Sequence, residues 1–293
     1  MYGVLAYPVG GAAMRRVSIS PKLKILKGAV LLLLSAAVTA VQFSPTEIAE
    51  RSRWEDFLRT AKIAGAVQLG EEEAVTTPWK LTLEKDGLVR HALWKNPSGA
   101  PRGYVDSWLY EIAAYNLDKL LGLGMVPPTV QKRFRGMLGS CQLWIEDAAV
   151  IKQRLQEGLS PKILETPKWL RQAYIQQLFD NLIGNEDRHQ GNVLIAPDER
   201  SFLIDHSRAF RTTKAFTQSL PFSEEKFPGG SVMRELPRVL VEKLRALDEK
   251  TIREAIGNTL SGKEISAVLA RKELILKEVG RLIAEHGEAA VLY

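Results

Sequence analysis

Asp187 and Asn192, in Gly184-Asn185-Glu186-Asp187-Arg188-His189-Gln190-Gly191-Asn192, and Asp205, in Phe202-Leu203-Ile204-Asp205-His206, flank a short apolar stretch with oxygen donors. Between Asn192 and Asp205 the apolar runs 193–196 and 201–204 are split by Pro197-Asp198-Glu199-Arg200, a turn composition. A hairpin with a four-residue loop sets Ala196 opposite Ser201 and, at the open end, Asn192 opposite Asp205, with Asp187 on the entering loop. Hard oxygen donors of this kind suit Mg2+ or Mn2+. The chemistry that uses such a set is phosphoryl transfer. It needs a divalent cation to screen phosphate charge, a carboxylate to orient the attacking hydroxyl, and a fixed cation on the phosphates that stay behind. Any one of these residues alone is an ordinary loop side chain; flanking one hairpin, they form a candidate site.

Asp187-x-x-x-x-Asn192 has the spacing of a kinase catalytic loop. Asp187-Arg188-His189-x-x-Asn192, followed by Ile204-Asp205, resembles the catalytic core of the atypical kinases. That group includes phosphatidylinositol 3-/4-kinases, HipA-type kinases and the secretory-pathway kinases that act on proteins or proteoglycan xylose. Gly184-Asn185-x-Asp187-Arg188-His189 and Asp205-x-x-Arg208-x-Phe210 resemble the secretory-pathway branch and its bacterial relatives, whereas Asn192 is similar to the lipid-kinase and HipA pattern. The resemblance covers about residues 56–280. It implies an α+β, bilobal protein-kinase-like fold with a small β-rich N-lobe (43–145) and an α-rich C-lobe (146–293). It further implies that Asp187 orients the acceptor, that Arg188 and His189 brace the loop, and that Asn192 and Asp205 hold the metal. The implied cofactors are ATP and Mg2+ (or Mn2+), and the implied acceptor is a hydroxyl of a protein, sugar or lipid. His206-Ser207 stand where a protein kinase carries Phe-Gly, which speaks against an activation-segment switch of that kind.

The remaining parts must come from upstream. Residues 79–84 and 89–95 read as strands around the Lys85-Asp86-Gly87 turn, and Lys95 closes the second. Lys80 competes for the phosphate-contacting role; Lys95 is preferred because it ends an apolar run and directly precedes the next helix. That helix begins near Asp106-Ser107 and runs through Trp108 to Leu121, with Leu109, Ile112, Ala113, Leu117 and Leu120 as its apolar stripe. Gly122 and Gly124 end it, and Pro127-Pro128 prevents its resumption. Glu111 lies one turn in, beside the stripe, where it can reach Lys95. The candidate phosphate loop is 68–77, with Gly70 and Thr76 as nucleotide contacts. Glu71, Glu72 and Glu73 oppose that by charge. Three readings stay open: backbone amides do the work, the loop has lost nucleotide affinity, or its glutamates face a basic substrate or a metal.

Residues 137–145 read as a strand leading into Glu146-Asp147, a hinge beside the adenine; Gln142, Leu143 and Trp144 line the pocket, and Glu146 is a candidate cofactor contact. In the C-lobe, Thr166 caps a helix whose first position is Pro167 and whose stop is Gly184. Its apolar residues Leu170, Tyr174, Leu178 and Leu182 recur every four positions, so it delivers the catalytic loop from a packed scaffold. The Pro/Gly-rich span 221–230 reads as a loop over the substrate face, and two helices, about 233–258 and 263–288, complete the α-rich end.

Length and composition agree: 293 residues, 45% hydrophobic, are enough to bury a substantial core. The net charge of +6 is carried almost wholly by Arg15, Arg16, Lys22, Lys24 and Lys27, so it gives no ground for a nucleic-acid partner. A single cysteine, Cys141, excludes an internal disulfide. The basic stretch precedes an almost wholly apolar run, 28–41, which fits a signal peptide or, second, an N-terminal membrane anchor over 1–42. Association with a membrane would then run through residues 22–42, with the catalytic domain outside the cytosol; a buried helix in a cytoplasmic protein is the alternative. Met14, followed by Arg15-Arg16, is a more natural start than Met1. Two rivals to a kinase are a kinase-like binding module without catalysis, and a metal-dependent phosphohydrolase using Asp187, His189, Asp205 and His206.

Overall fold

The computed structural model describes residues 45–70, 78–100, 105–224, 226 and 232–293. Helices α1 (Pro45–Ala49) and α2 (Arg51–Thr60) precede strands β1 (Lys62–Gln68), β2 (Trp79–Lys85) and β3 (Leu88–Lys95). The turn between β2 and β3 is the pair Asp86-Gly87, both at positive φ (51° and 76°), a conformation that Asp-Gly adopts cheaply and that matches strand twist. A two-residue ladder, β4 (Ser98–Gly99) with β5 (Asp106–Ser107), leads into α3 (Trp108–Leu121). Strands β6 (Thr129–Phe134) and β7 (Met137–Leu143) complete a five-stranded antiparallel sheet in the order β1-β2-β3-β7-β6.

Alternation along these strands sorts the side chains onto two faces. One face packs Leu81, Leu83, Ala92, Trp94, Val130 and Cys141 against Phe57 and Leu58 of α2, forming the smaller core. The other face carries Lys80, Leu93, Lys95 and Gln142 and turns toward the C-lobe.

The C-lobe follows as β8 (Ala149–Val150), α4 (Ile151–Gln156), a short 3-10 turn (Pro161–Glu165) and α5 (Pro167–Ile183). After these come β9 (Val193–Ile195), β10 (Ser201–Leu203), α6 (Lys214–Thr217), α7 (Arg238–Ala246), α8 (Glu249–Ile256), α9 (Gly262–His286) and α10 (Glu288–Val291). Helix α5 starts and stops as its sequence predicts: Thr166 Oγ1 accepts from the Trp169 N–H at 3.2 Å, and Gly184 takes the left-handed conformation. It is buried from Gln172 to Ile183, so its polar residues must find partners inside the protein. Gln172 Oε1 accepts from the Ser201 N–H, Gln177 Oε1 from the Met233 N–H, and Asn181 exchanges two hydrogen bonds with the Phe222 backbone. The central helix therefore anchors the β9–β10 hairpin and the 222–233 segment through its amides.

Several sequence expectations need correction. The hairpin pairs Ser201 with Ile195, so its loop is the three residues 197–199 and Asn192 faces Ile204 rather than Asp205. The cause is Glu199, which takes φ 66° and lets Arg200 pair with Ala196. Helix α3 is buried nearly all round from Tyr110 to Asp118, with Leu109 and Leu120 only half-buried, because it is sandwiched between the sheet and the larger core. The expected helix over 233–258 is two helices: Leu247 is extended, and Asp248 starts α8 with a capping box. Helix α2, strand β1 and the third small-sheet strand β8 were not expected from the sequence. Of the candidate phosphate loop, 71–77 lies outside the described residues, as do residues 1–44 and most of 225–231. Among the described residues no helix is long and apolar enough to cross a membrane.

Cys141, wholly buried between Trp94 and Val130 in the sheet register, has its thiol pushed up to about 12 by burial. At pH 8 a disulfide reagent should therefore label the native chain at least about a thousandfold more slowly than the guanidinium-unfolded chain. Rapid labelling of the native chain would show that this sheet is open.

Candidate active site

Lys95 ends β3 on the face turned toward the C-lobe. Its Nζ lies 3.2 Å from Glu111 Oε1 on α3 and 3.0 Å from Asp205 Oδ1 beyond β10. Lys80 takes no part in this contact; its Nζ sits 4.3 Å from the centre of the Trp144 ring. Burial alone would depress the Lys95 pKa, but the Asp205 and Glu111 carboxylates more than reverse this and hold the ammonium above the ordinary lysine range. Burial likewise pushes Glu111 up, and Lys95 with the bonds from His206 outweighs it, leaving the carboxyl below its usual range. The pair is charged because each partner makes the other's charge tolerable.

The second oxygen of Glu111 accepts the His206 backbone N–H at 3.0 Å. The His206 ring is wholly buried, with Nε2 3.0 Å from Arg188 Nη2. A guanidinium can only donate, so Nε2 must accept and the ring proton sits on Nδ1, which faces Glu111 Oε2 at 3.5 Å. Burial and the nearby Arg188 lower the His206 pKa, and Glu111 does not reverse this; the ring is neutral at neutral pH.

Arg188 joins the parts. It forms a bidentate pair with the fully buried Asp180 of α5 (Nε–Oδ2 2.9 Å, Nη2–Oδ1 3.0 Å). Its Nη1 donates to the carbonyls of Asn192 (2.5 Å) and Ile204 (2.7 Å), the residues at the open end of the hairpin. Asn192 Nδ2 donates to the Asp187 carbonyl at 2.8 Å, leaving Oδ1 as its acceptor atom. Asp187 receives its own loop support from Asn185 Oδ1, which accepts the Asp187 N–H. Its carboxylate Oδ2 accepts from Arg208 Nη1 at 3.2 Å, and Arg208 is held in turn by the buried Asp106. His189 Nδ1 accepts the Gly191 N–H, which closes the turn before Asn192.

Lys95, Asn192 and Asp205 line one end of a cleft of about 530 Å³; Leu69, Leu93, Leu143, Trp144 and Leu194 give the rest an apolar character. Asp205 adopts φ 61°, which folds the chain sharply after β10 and returns its carboxylate to Lys95. The donors present suit a divalent hard cation: the Asn192 amide oxygen and a part-exposed Asp205 carboxylate, both on the cleft.

The structure thus brings together Lys95, Glu111, Asp187, Arg188, Asn192 and Asp205, with His189 at the loop turn. Glu146 lines the cleft, but its Oε1 is bonded to His91 Nδ1 at 2.8 Å, so the carboxylate is already engaged. Gly70 does not line the cleft: the Leu69 N–H bonds the Pro78 carbonyl, and it is Leu69 and Pro78 that face inward at the loop's neck. Thr76 lies outside the described residues. Sequence reasoning missed Asp180 and the bridging role of His206. Asp180 carried one signal, a carboxylate in a helix of buried residues, since a buried charge requires a partner. Of the ligands named for a metal-dependent phosphohydrolase, His206 is enclosed between Arg188 and Glu111, and among the described residues no group of three His, Cys, Asp or Glu is placed to hold a metal ion.

No family model matches the chain, and no curated protein matches it. Solved structures do. A hydra Fam20 structure with sugar matches at TM-score 0.58 and 17% identity, over 85% of this chain and 93% of that one. The Golgi casein kinase with Mn and ADP bound matches at TM-score 0.60 and 16% identity, over 87% and 80% respectively. The chain therefore has the bilobal, α+β fold of the atypical kinases.

The Asp180–Arg188 pair yields a stability prediction. Arg188→Met should cost about 3–5 kcal/mol in urea unfolding, because Asp180 loses its counter-charge in the interior and keeps only the Asn185 amide. Asp180→Leu combined with Arg188→Met should recover a large part of that loss. Losses that simply add would show that the two side chains are not coupled.

Proposed function

We propose that this kinase-like chain transfers the γ-phosphoryl group of ATP to a hydroxyl of a protein, sugar or lipid. The observation that carries the reading is the Lys95 ammonium fixed between Glu111 and Asp205 at the polar end of the cleft, with Asn192 beside it. In this reading Lys95 contacts the non-transferred phosphates, and Glu111 positions it. Asp187 orients the acceptor hydroxyl and takes its proton on the oxygen that Arg208 leaves free. Asn192 Oδ1 and the Asp205 carboxylate would hold Mg2+ or Mn2+, which supplies screening of the phosphate charge. Arg188 and His189 keep the loop in shape, so that the charges are in place before the reaction begins. The base lies against the apolar part of the cleft beside Leu143 and Trp144, with Glu146 tying the hinge to His91.

Support for a phosphotransferase also comes from the two matched folds, one of them a kinase with Mn and ADP bound. In the same reading the lobes divide at about residue 145, just past the end of β7 at Leu143. Export or membrane anchoring of the domain belongs to the same reading and rests on the basic and apolar leader over 1–42.

The test is transfer of labelled phosphate from γ-labelled ATP, with Mg2+ and then Mn2+, beside the Asp187→Ala and Asp205→Ala variants. Label should appear on the protein or an added acceptor and fall by at least about a hundredfold in both variants. Absence of transfer with either metal, together with no nucleotide-dependent rise in Tm, would overturn the assignment. A rise in Tm without transfer would favour a kinase-like binding module.

A further inference from the structure

The register of the sheet lays one row of side chains across four strands, Lys80, Leu93, Gln142 and Thr129, of which the first three line the cleft. Lys95 belongs to the neighbouring row on the same face, opposite Ser140, so Gln142 lies about 7 Å along the strand from the lysine. Gln142 also lies at the end of β7 beside Leu143 and Trp144, a few residues before the hinge at Glu146, and it lines the cleft. A nucleoside triphosphate whose phosphates reach Lys95 therefore presents its base to this row.

Gln142 is 6% exposed, and its amide has a defined direction. The Pro127 carbonyl can only accept, so Thr129 Oγ1 must spend its one proton on it, at 2.8 Å. Thr129 Oγ1 is then an acceptor toward Gln142, which requires the Gln142 NH2 at 3.0 Å. That places Oε1 on the other branch of the amide, with no hydrogen-bond partner among the described residues. An acceptor oxygen that an otherwise buried side chain presents on a cleft wall takes its donor from whatever fills the cleft.

We propose that Gln142 Oε1 selects the nucleobase: it accepts from the exocyclic amino group of adenine and rejects guanine, whose carbonyl oxygen at that ring position would meet it acceptor to acceptor. Thr129 is the positioning residue that keeps the amide from turning over. The inference rests on the reading that the cleft binds ATP, and it adds which residue reads the base and how.

Isothermal titration of the full chain with MgATP and MgGTP tests it. The wild type should bind MgATP roughly ten- to a hundredfold more tightly, the usual cost of setting two acceptors face to face in place of a hydrogen bond. Gln142→Leu should bring the two nucleotides within about threefold of each other, by loss of MgATP affinity. Thr129→Val, nearly isosteric, frees the amide to present its NH2; MgGTP should then bind more tightly than to wild type, while MgATP loses less than in Gln142→Leu. Equal wild-type affinities, or a base preference unchanged in both variants that melt cooperatively, would overturn the selection while leaving nucleotide binding intact. A folded wild type that binds neither nucleotide would overturn the underlying reading as well.

Discussion

A fully buried guanidinium is tolerable only when every one of its N–H groups is satisfied, and Arg188 meets that condition. Its five donors find Asp180 twice, the carbonyls of Asn192 and Ile204, and His206 Nε2. Desolvating such a pair costs several kcal/mol per ion in real proteins, and good geometry with complete hydrogen bonding is what offsets it. The consequence is positional. Because Asp180 is fixed on the buried helix α5, Arg188 is fixed, and with it the carbonyls on either side of the hairpin that separates Asn192 from Asp205. A polar line then runs from α5 to β3: Asp180, Arg188, neutral His206, Glu111, Lys95. Charge alternates along it except at the histidine, whose tautomer is dictated by the arginine and whose proton faces the glutamate. The two lobes are registered to one another through this line as well as through apolar packing.

Elements set by local chemistry were legible in the sequence. Asp86-Gly87, the caps Ser107 and Thr166, and the stops Gly122 and Gly184 all act within a few residues of themselves, and the structure places each where its type and spacing predict. The meeting of Lys95 with Glu111 was legible too, because one ends a strand and the other lies one turn into the next helix. Elements that depend on tertiary context were not. The hairpin was misread by one residue because no composition rule makes a glutamate at 199 take a left-handed φ. Helix α2 has no side-chain cap at Glu50, and β1 is short of β-branched residues and bulged next to Gly65, so neither announces itself. Asp180 and Arg188, eight positions apart and in different elements, share no spacing that a periodicity argument reads. Their pairing follows only once burial shows that each would otherwise be an isolated charge.

The segment after Asp205 shows how side-chain identity becomes geometry. Asp205 and Phe210 both take positive φ (61° and 59°), each at a cost on the order of 1–3 kcal/mol for a residue with a side chain. Such conformations persist only where neighbours over-determine them. Here the His206 N–H is taken by Glu111, the Ala209 N–H by the His206 carbonyl, and the Phe210 N–H by the Ile183 carbonyl at 2.6 Å. Phe210 then packs against Tyr110 of α3, with ring centres 5.4 Å apart. The corner at Asp205 that sends its carboxylate to Lys95 is thus maintained from both lobes.

The same bonds explain why histidine rather than phenylalanine can follow Asp205 in this chain. A phenylalanine there could leave its pocket at the cost of apolar burial alone. His206 could not: its ring sits edge-on to Phe179, at 6.2 Å and 77°, while it accepts from Arg188 and aims its proton at Glu111. Swinging it out would strand an arginine N–H in the interior, a cost of about 1–3 kcal/mol or more for a charged group. It would also loosen the grip on the Ile204 carbonyl that sets the hairpin's open end. An in-and-out switch at this position therefore opposes the interactions that build the site, and the segment behaves as a fixed wall of the cleft. Control of this site would have to act on what enters the cleft, because the aspartate itself has nowhere else to go.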